Sequence, residues 1–308
     1  MMSLMNALPG AVAQGLIWGI MAIGVYLTFR ILDIADLTVD GSLGTGGAVC
    51  IMLMLTGHSV WVSMAGAILA GMAAGFATGI LHTFMGIPAI LAGILTQLGL
   101  YSINLKIMGK ANQAINVDKY DLLVSLRFIR NVAFHKNTIF VVAVMIVLVI
   151  AILYWFFGTE LGCSLRATGC NDKMARAQGI NTDFCRVLGL MVSNGLVALA
   201  GALLTQYQGF ADINMGRGAI VIGLAAVIIG EAIFGRIFRN FGFRLLGVVF
   251  GSIIYYLVLQ IVIWMGIDTD LLKLLSAVVV AIFLAIPTWK GRYFSTTGKK
   301  GVRCDVRG

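Results

Sequence analysis

Residues 41–105 read GSLGTGGAVCIMLMLTGHSVWVSMAGAILAGMAAGFATGILHTFMGIPAILAGILTQLGLYSINL, 65 consecutive positions without one Asp, Glu, Lys or Arg. As helix, at about 1.5 Å per residue, this run extends roughly 98 Å, room for three crossings of a bilayer core about 30 Å thick. Two points inside it break the helix, Gly57-His58-Ser59 and Met85-Gly86-Ile87-Pro88, where Gly loosens the chain and Pro88 suits a first helical turn. The chain as a whole agrees with this stretch. Of its 308 residues 60% are apolar and 11% charged, against about 25% charged in an ordinary soluble domain. A water-soluble domain and a disordered chain are both excluded.

Outward from this run, charge-free or nearly charge-free windows fall at 11–29, 41–57, 60–84, 87–105, 137–157, 187–207, 218–234, 245–266 and 271–289. They predict an all-α polytopic membrane protein of about nine transmembrane helices, within a range of 8–10. Glycine is frequent, at 38 residues, and much of it lies inside these windows, as in GAILAGMAAGFATG (66–79) and GLVALAGALL (195–204). Small residues let helix backbones approach, so the helices form one tight bundle.

Orientation follows the basic residues. The tail carries Lys290, Arg292, Lys299, Lys300, Arg303 and Arg307, which places the C-terminus in the cytoplasm; nine crossings then put the N-terminus outside. The same alternation brings Arg30, Arg166, Lys173, Arg176, Arg186, Arg236, Arg239 and Arg244 inside, 14 of the 22 basic residues in all. The chain reads as one transmembrane domain, 1–290, with a cytoplasmic loop at 158–186 and an external loop at 106–136, followed by a basic cytoplasmic tail, 291–308. The external loop mixes six basic residues with Asp118 and Asp121 and reads as carrying an interfacial helix near Leu122–Ile129. The N-terminal MMSLMNALPGAVAQ has no Lys or Arg, so it lacks the basic region of a signal peptide, and the first apolar window reads as a retained helix.

Net charge of +9 reports this topology, because the basic residues sit between apolar stretches; no nucleic acid partner is expected. The five cysteines show no C-x-x-C spacing and the three histidines lie far apart, so neither a metal site nor a disulfide framework is expected. The chain has no G-x-x-x-x-G-K-[ST], H-E-x-x-H or G-x-S-x-G. It has no means of binding ATP in the P-loop manner, and no catalytic residue is assigned.

Three polar segments interrupt the apolar pattern. In Ile34–Gly47, Asp36 and Asp40 lie beside a membrane helix whose start is loosened by glycine; an exposed helix end can bind a polar solute, or Asp40 and Ser42 can simply cap the second helix. In Thr159–Asn181, Asn171 or Asp172 caps a short helix favoured by Ala175 and Ala177 and ended by Gly179, which offers either a docking surface or a plain connector. In Met215–Gly235, Glu231 sits near the cytoplasmic end of a membrane helix, where a partner such as Arg236 or Arg239 offsets the cost of burying its charge. Gln97 and Asn104 in the fourth window are further polar candidates for a solute path.

At these segments the sequence resembles the permease subunits of ABC importers of the branched-chain amino acid and ribose type. Asp36-Leu-Thr-Val-Asp-Gly-Ser42 is similar to that family's Gly-x-Asp-Leu-Ser-x-Gly-Ser element, with Thr38 for Ser and one extra residue. Gly162, Arg166, Ala167, Gly169, Asn171, Ala175, Gly179 and Ile180 match its Gly-x-x-x-Arg-Ala-x-Gly-x-Asn-x-x-x-Ala-x-x-x-Gly-Ile signature, and Ala225–Gly235 resembles a third element, with Glu231 where the family has a second Gly. The departures point to a less characterised branch. The resemblance, over about residues 10–290, implies the ABC importer permease fold and a path for a small, amino acid-like solute, with aromatic and branched-chain amino acids as candidates. It implies that Arg166, Ala167, Gly169, Asn171, Asp172, Ala175, Gly179 and Ile180 couple the chain to an ATPase. It places Asp36, Thr38, Asp40 and Ser42 along the translocation path, with Gln97, Asn104 and Glu231 as companions.

Implied partners are a P-loop ABC ATPase subunit, which would bind the ATP and Mg, an extracytoplasmic solute-binding protein, a second permease copy in a homodimer, and membrane lipid. The implied location is the bacterial inner membrane, and the chain itself needs no cofactor. Two other classes stay open on the residues alone. One is a stand-alone secondary transporter or channel using Glu231 or Asp40 as the coupling carboxylate. The other is a membrane scaffold without transport. An ATPase partner separates the importer from both.

Overall fold

A computed structural model describes residues 2–115, 120, 122–126, 137–235, 240–265, 274, 277, 278, 280 and 281. The described chain is helical apart from one short ribbon: α1 (Met2–Tyr26), a π-helical turn (Leu27–Ile31), α2 (Thr38–Leu55), α3 (Val60–Thr83), α4 (Ala89–Met108), β1 (Asn112–Ala114), α5 (Thr138–Phe157), α6 (Glu160–Cys170), α7 (Asp172–Ala177), α8 (Thr182–Gln208), β2 (Phe210–Asp212), α9 (Ala219–Phe234) and α10 (Phe241–Trp264). Among the described residues seven helices are long and apolar enough to cross a membrane: α1 with its π turn, α2, α3, α4, α5, α8 and α10. α9 is apolar but has 16 residues, about 24 Å. The window at 271–289 falls almost wholly outside the described residues. The two breaks in the charge-free run are where the sequence places them, with Gly57 and Gly86 at φ +90° and +69°, a region that glycine enters without steric cost.

Two packed groups share α1. α8 lies against α1, α2 and α3, while α10 lies against α1 and α9. The first group packs backbone to backbone. Gly71 and Gly75 of α3 face the Asn194 and Leu190 carbonyls of α8, and Gly46 of α2 faces Ala198, so a Cβ at any of the three would collide with main chain. In the second, Gly251 of α10 meets the Ala226 carbonyl and Gly230 of α9 meets that of Gly247. Close packing replaces the hydrophobic drive that lipid cannot supply between helices.

α2 begins inside the protein. After the π turn, residues 32–37 bury Leu32, Ile34 and Asp36, and Asp36 meets Asn194 near the middle of α8. The window that starts at 41 thus extends three residues earlier, to Thr38.

At the end of the bundle opposite α6 and α7, β1 pairs antiparallel with β2, Asn112 opposite Asp212 and Ala114 opposite Phe210. The interfacial helix expected near Leu122–Ile129 is not present over its described part, and residues 127–129 lie outside the described residues. Residues 122–125 form an irregular turn because side chains at two helix ends capture its backbone. The Leu123 N–H donates to Gln206 Oε1 (3.3 Å) and Thr138 Oγ1 donates to the Ser125 carbonyl (2.7 Å), which buries Leu122 and Val124.

Candidate functional site

The segment after α5 is a hook of three capped elements. Thr159 Oγ1 accepts from the Gly162 N–H (3.4 Å) to start α6; Asn171 ends α6, and its Oδ1 accepts from the Met174 N–H (3.1 Å) to start α7; Asn181 Oδ1 accepts from the Phe184 N–H (3.1 Å) to start α8. Gly179, at φ +82°, makes the turn after α7. Asn171, Ala175 and Gly179 therefore have the local roles the sequence gives them.

Ion pairs stiffen the hook. Asp172 Oδ1 lies 3.3 Å from Arg186, Arg176 Nη2 donates to Asp183 Oδ1 (2.9 Å) and Arg176 Nε to Thr182 Oγ1 (2.7 Å). Asp172 is thus engaged with the foot of α8. Ala175 is buried, Ala167 and Ile180 are half-buried, and Met174, Lys173 and Gln178 form the outer surface, with Met174 62% exposed.

The hook also grips the membrane helices. Gly162 lies on the backbone of Phe156 and Phe157, Gly169 lies on the Ile31 carbonyl, and Leu165 packs against Gly189. Arg166 turns inward: its guanidinium carbon stands 4.5 Å from the Phe241 ring centroid and 5.4 Å from that of Phe157. The eight expected coupling residues are therefore together in space. Met174 and Gln178 supply the exposed face, while Gly162, Arg166 and Gly169 hold it in place.

The expected path residues fall into three groups. Asp36, Thr38 and Ser42 join a buried network. Asp36 Oδ1 accepts from the Thr38 N–H (2.9 Å), its Oδ2 accepts from Asn194 Nδ2 (2.7 Å), and Ser42 Oγ donates to Asn194 Oδ1 (2.6 Å). The Thr38 hydroxyl meets Thr78 (2.7 Å), which donates to Thr96 (2.9 Å), so α2, α3, α4 and α8 share one polar chain. Burial pushes the Asp36 carboxyl above the usual carboxylate range, and hydrogen bonds from Thr38 and Asn194 pull it back. Within one subunit these side chains are buried and tie the helices together.

Asp40 is separate. It lies in the first turn of α2 yet makes no cap there; its carboxylate accepts from the N–H groups of Gly218 and Ile220 (both 3.0 Å) and caps α9. Ser42 likewise bonds across to α8. The reading of both as caps of their own helix is corrected, because the backbone turns helical before them, at Thr38.

Glu231 pairs with Arg30 on the π turn of α1 (3.0 Å), both side chains partly exposed. Arg236 and Arg239, the partners expected from sequence, lie outside the described residues. Gln97 is half-buried on α4. Asn104, 2% exposed, sits beside Gly44, and its Oδ1 has no hydrogen-bond partner among the described residues.

Asn194, Thr78, Thr96 and Arg30 were not anticipated from the sequence. Asn194 carried a readable signal, an amide in the middle of the apolar window 187–207, whose other amide, Gln206, lies at its end. The threonines carried none, since Thr in a membrane helix usually bonds its own backbone, as Thr78 and Thr96 also do.

Residues 8–286 match the family described as the branched-chain amino acid transport system permease component. The tyrosine transport system permease protein of Clostridioides difficile is 39% identical over 282 residues, 91% of each chain. The autoinducer 2 import system permease protein LsrC of Yersinia pestis is 31% identical over 214 residues, 68% of this chain and 58% of that one. Among solved structures, PsaBC from Streptococcus pneumoniae in complex with Fab shares the fold, with a TM-score of 0.51 and 19% identity over 94% of this chain and 93% of that chain.

Proposed function

The chain belongs to the family of branched-chain amino acid transport system permease components, the ABC importer permeases its motifs resemble, and we propose that α7 is the surface through which a separate ATPase drives it. It is a multi-pass permease of the inner membrane serving the transport of a small solute. The finer reading is nine crossings with the N-terminus outside, a domain over 1–290, the hook at 158–186 and the tail at 291–308 in the cytoplasm, and the loop at 106–136 outside. Two copies enclose one path, a P-loop ATPase binds ATP and Mg, and an extracytoplasmic binding protein docks on the outside loops, including 106–136, which contributes β1 to the ribbon. The solute is an amino acid of the tyrosine class, on the strength of the C. difficile relative.

The observation that carries the coupling role is the hook itself. Its inner face is fixed by caps, ion pairs and glycine contacts, and its outer face leaves Met174, Lys173 and Gln178 to solvent. A short helix that is rigidly held and openly presented transmits force. When ATP closes the ATPase pair, α7 moves; Gly169 on Ile31 and Gly162 on Phe157 pass the displacement to α1 and α5. The Asp36–Asn194 network makes α2, α3, α4 and α8 move as one body, which alternates access to the path.

The test is affinity purification of the tagged chain from its native membrane, mass spectrometry of the chains that accompany it, and uptake of labelled tyrosine after reconstitution. Recovery of a P-loop ATPase and ATP-dependent uptake are the expected results. Recovery of this chain alone, transporting under an ion gradient, overturns the proposal in favour of a secondary transporter.

A further inference from the structure

Arg166 is a cation of the cytoplasmic hook that the fold turns toward the membrane helices. Its Nε is buried without a hydrogen-bond partner, and no carboxylate stands within ion-pair distance among the described residues. What holds it is aromatic: the faces of Phe157 and Phe241, themselves packed 5.0 Å apart, with Phe156 edge-on to Phe157 at 5.3 Å. A guanidinium over ring faces is bound by the ring quadrupole and by stacking, which a planar cation achieves better than an ammonium.

The two rings come from different helices. Phe157 is the last residue of α5 and Phe241 the first of α10. α6 touches the π turn after α1 and α5 through the main chain at Gly169 and Gly162, and α8 through Leu165, but its backbone hardly approaches α10. Among the described residues the direct contact from α6 to α10 is the one long side chain of Arg166, beside the indirect routes through Phe157 of α5 and through α1. From α10 the contact continues into α9 through the glycine-lined seam at Gly230 and Gly251, and α9 is held at its other end by Asp40 of α2.

We propose that Arg166 is a positioning residue that carries displacement of α6 and α7 into α10, so that the α9–α10 pair moves with the coupling hook. It acts from inside the protein and makes no contact with the ATPase. The inference rests on the reading of α7 as the ATPase-docking helix, and it adds a direct route into the second packed group beside those through α1 and α5.

The experiment is hydrogen–deuterium exchange on the complex purified from native membranes, with and without ATP plus vanadate, for the parent and for Arg166→Met, Arg166→Lys and Phe241→Leu. In the parent, trapping ATP protects the α7 peptide and alters exchange in the peptide that begins at Phe241. Arg166→Met and Phe241→Leu are expected to keep the ATPase in the complex and the α7 protection while losing the α10 response by at least about fivefold, the low end of typical coupling factors. Arg166→Lys, which retains the charge without the plane, should recover part of it.

An α10 response that survives in Arg166→Met overturns the proposal. So does a parent complex in which α10 does not respond, or an Arg166→Met chain that keeps its fold but sheds the ATPase, which would make Arg166 a direct contact. Should Arg166→Met fail to fold, Phe241→Leu decides, since it leaves the hook's own residues unchanged. A parent that carries no ATPase and shows no α7 protection is a different failure, that of the function reading itself.

Discussion

Replacing Asn194 by Leu tests the buried network at its centre. The two side chains share the same branched skeleton of four heavy atoms, with Leu the bulkier, so the change opens no cavity. It deletes the bond from Nδ2 to Asp36 Oδ2 (2.7 Å) and the bond from Ser42 Oγ to Oδ1 (2.6 Å). The Leu190 carbonyl, 3.0 Å from Nδ2, is an i−4 helix acceptor and keeps its backbone donor. An interhelical hydrogen bond between neutral groups in a membrane bundle contributes about 0.6 to 1.7 kcal/mol, and one to a buried carboxyl about 1 to 3 kcal/mol. Together the loss is about 2 to 5 kcal/mol. At about 2 °C per kcal/mol for a chain of this size, the apparent Tm should fall by roughly 4 to 10 °C. The assay is thermal melting of the detergent-solubilised protein followed by size-exclusion fluorescence. A midpoint within about 2 °C of the parent would refute the reasoning, since it would mean that neither bond carries net stability.

Three further outcomes are expected. Asp40→Ala should lower the same midpoint by roughly 1 to 4 °C, the effect of about 0.5 to 2 kcal/mol from a lost helix cap, and Asp40→Asn should restore much of it; equal loss in both would show that charge rather than capping matters. Glu231→Gln should shift the midpoint by no more than about 2 °C, because the half-exposed pair with Arg30 is worth about 0 to 1 kcal/mol, and a larger fall would give that pair a structural weight its exposure does not support. Met174→Glu should leave folding intact, as its side chain is 62% exposed. It should nonetheless reduce recovery of the ATPase by affinity purification, and unchanged recovery would remove α7 from the interface.

What the sequence disclosed and what it hid divide along a physical line. Apolar length and glycine or proline breaks are local, so the helices around Gly57 and Gly86 and the caps at Asn171 and Gly179 were legible. Which helix a cap serves is not local. Asp40 carries a strong capping signature but spends it on α9, nearly two hundred residues away in the chain. Glu231 found a cation in Arg30 of the first helix, which no window around residue 231 contains. Arg166 lies in a polar stretch and so resembles a surface residue, whereas its true neighbours, Phe157 and Phe241, come together only in the folded bundle. The ribbon of β1 and β2 left no signal, because three residues are too few for alternation to show.

The cap that Asp40 places on α9 has a bearing on how the protein is made. A ribosome delivers α2 long before α9, and α9, at 16 residues, is short for a bilayer crossing and starts with amide groups that lipid cannot satisfy. Its receptor, the Asp40 carboxylate, is already waiting when it emerges. The early helices thus serve as a mould for the late ones. Damage at Asp40 should consequently appear during biogenesis, as chains that insert their first half and are degraded before the second has settled.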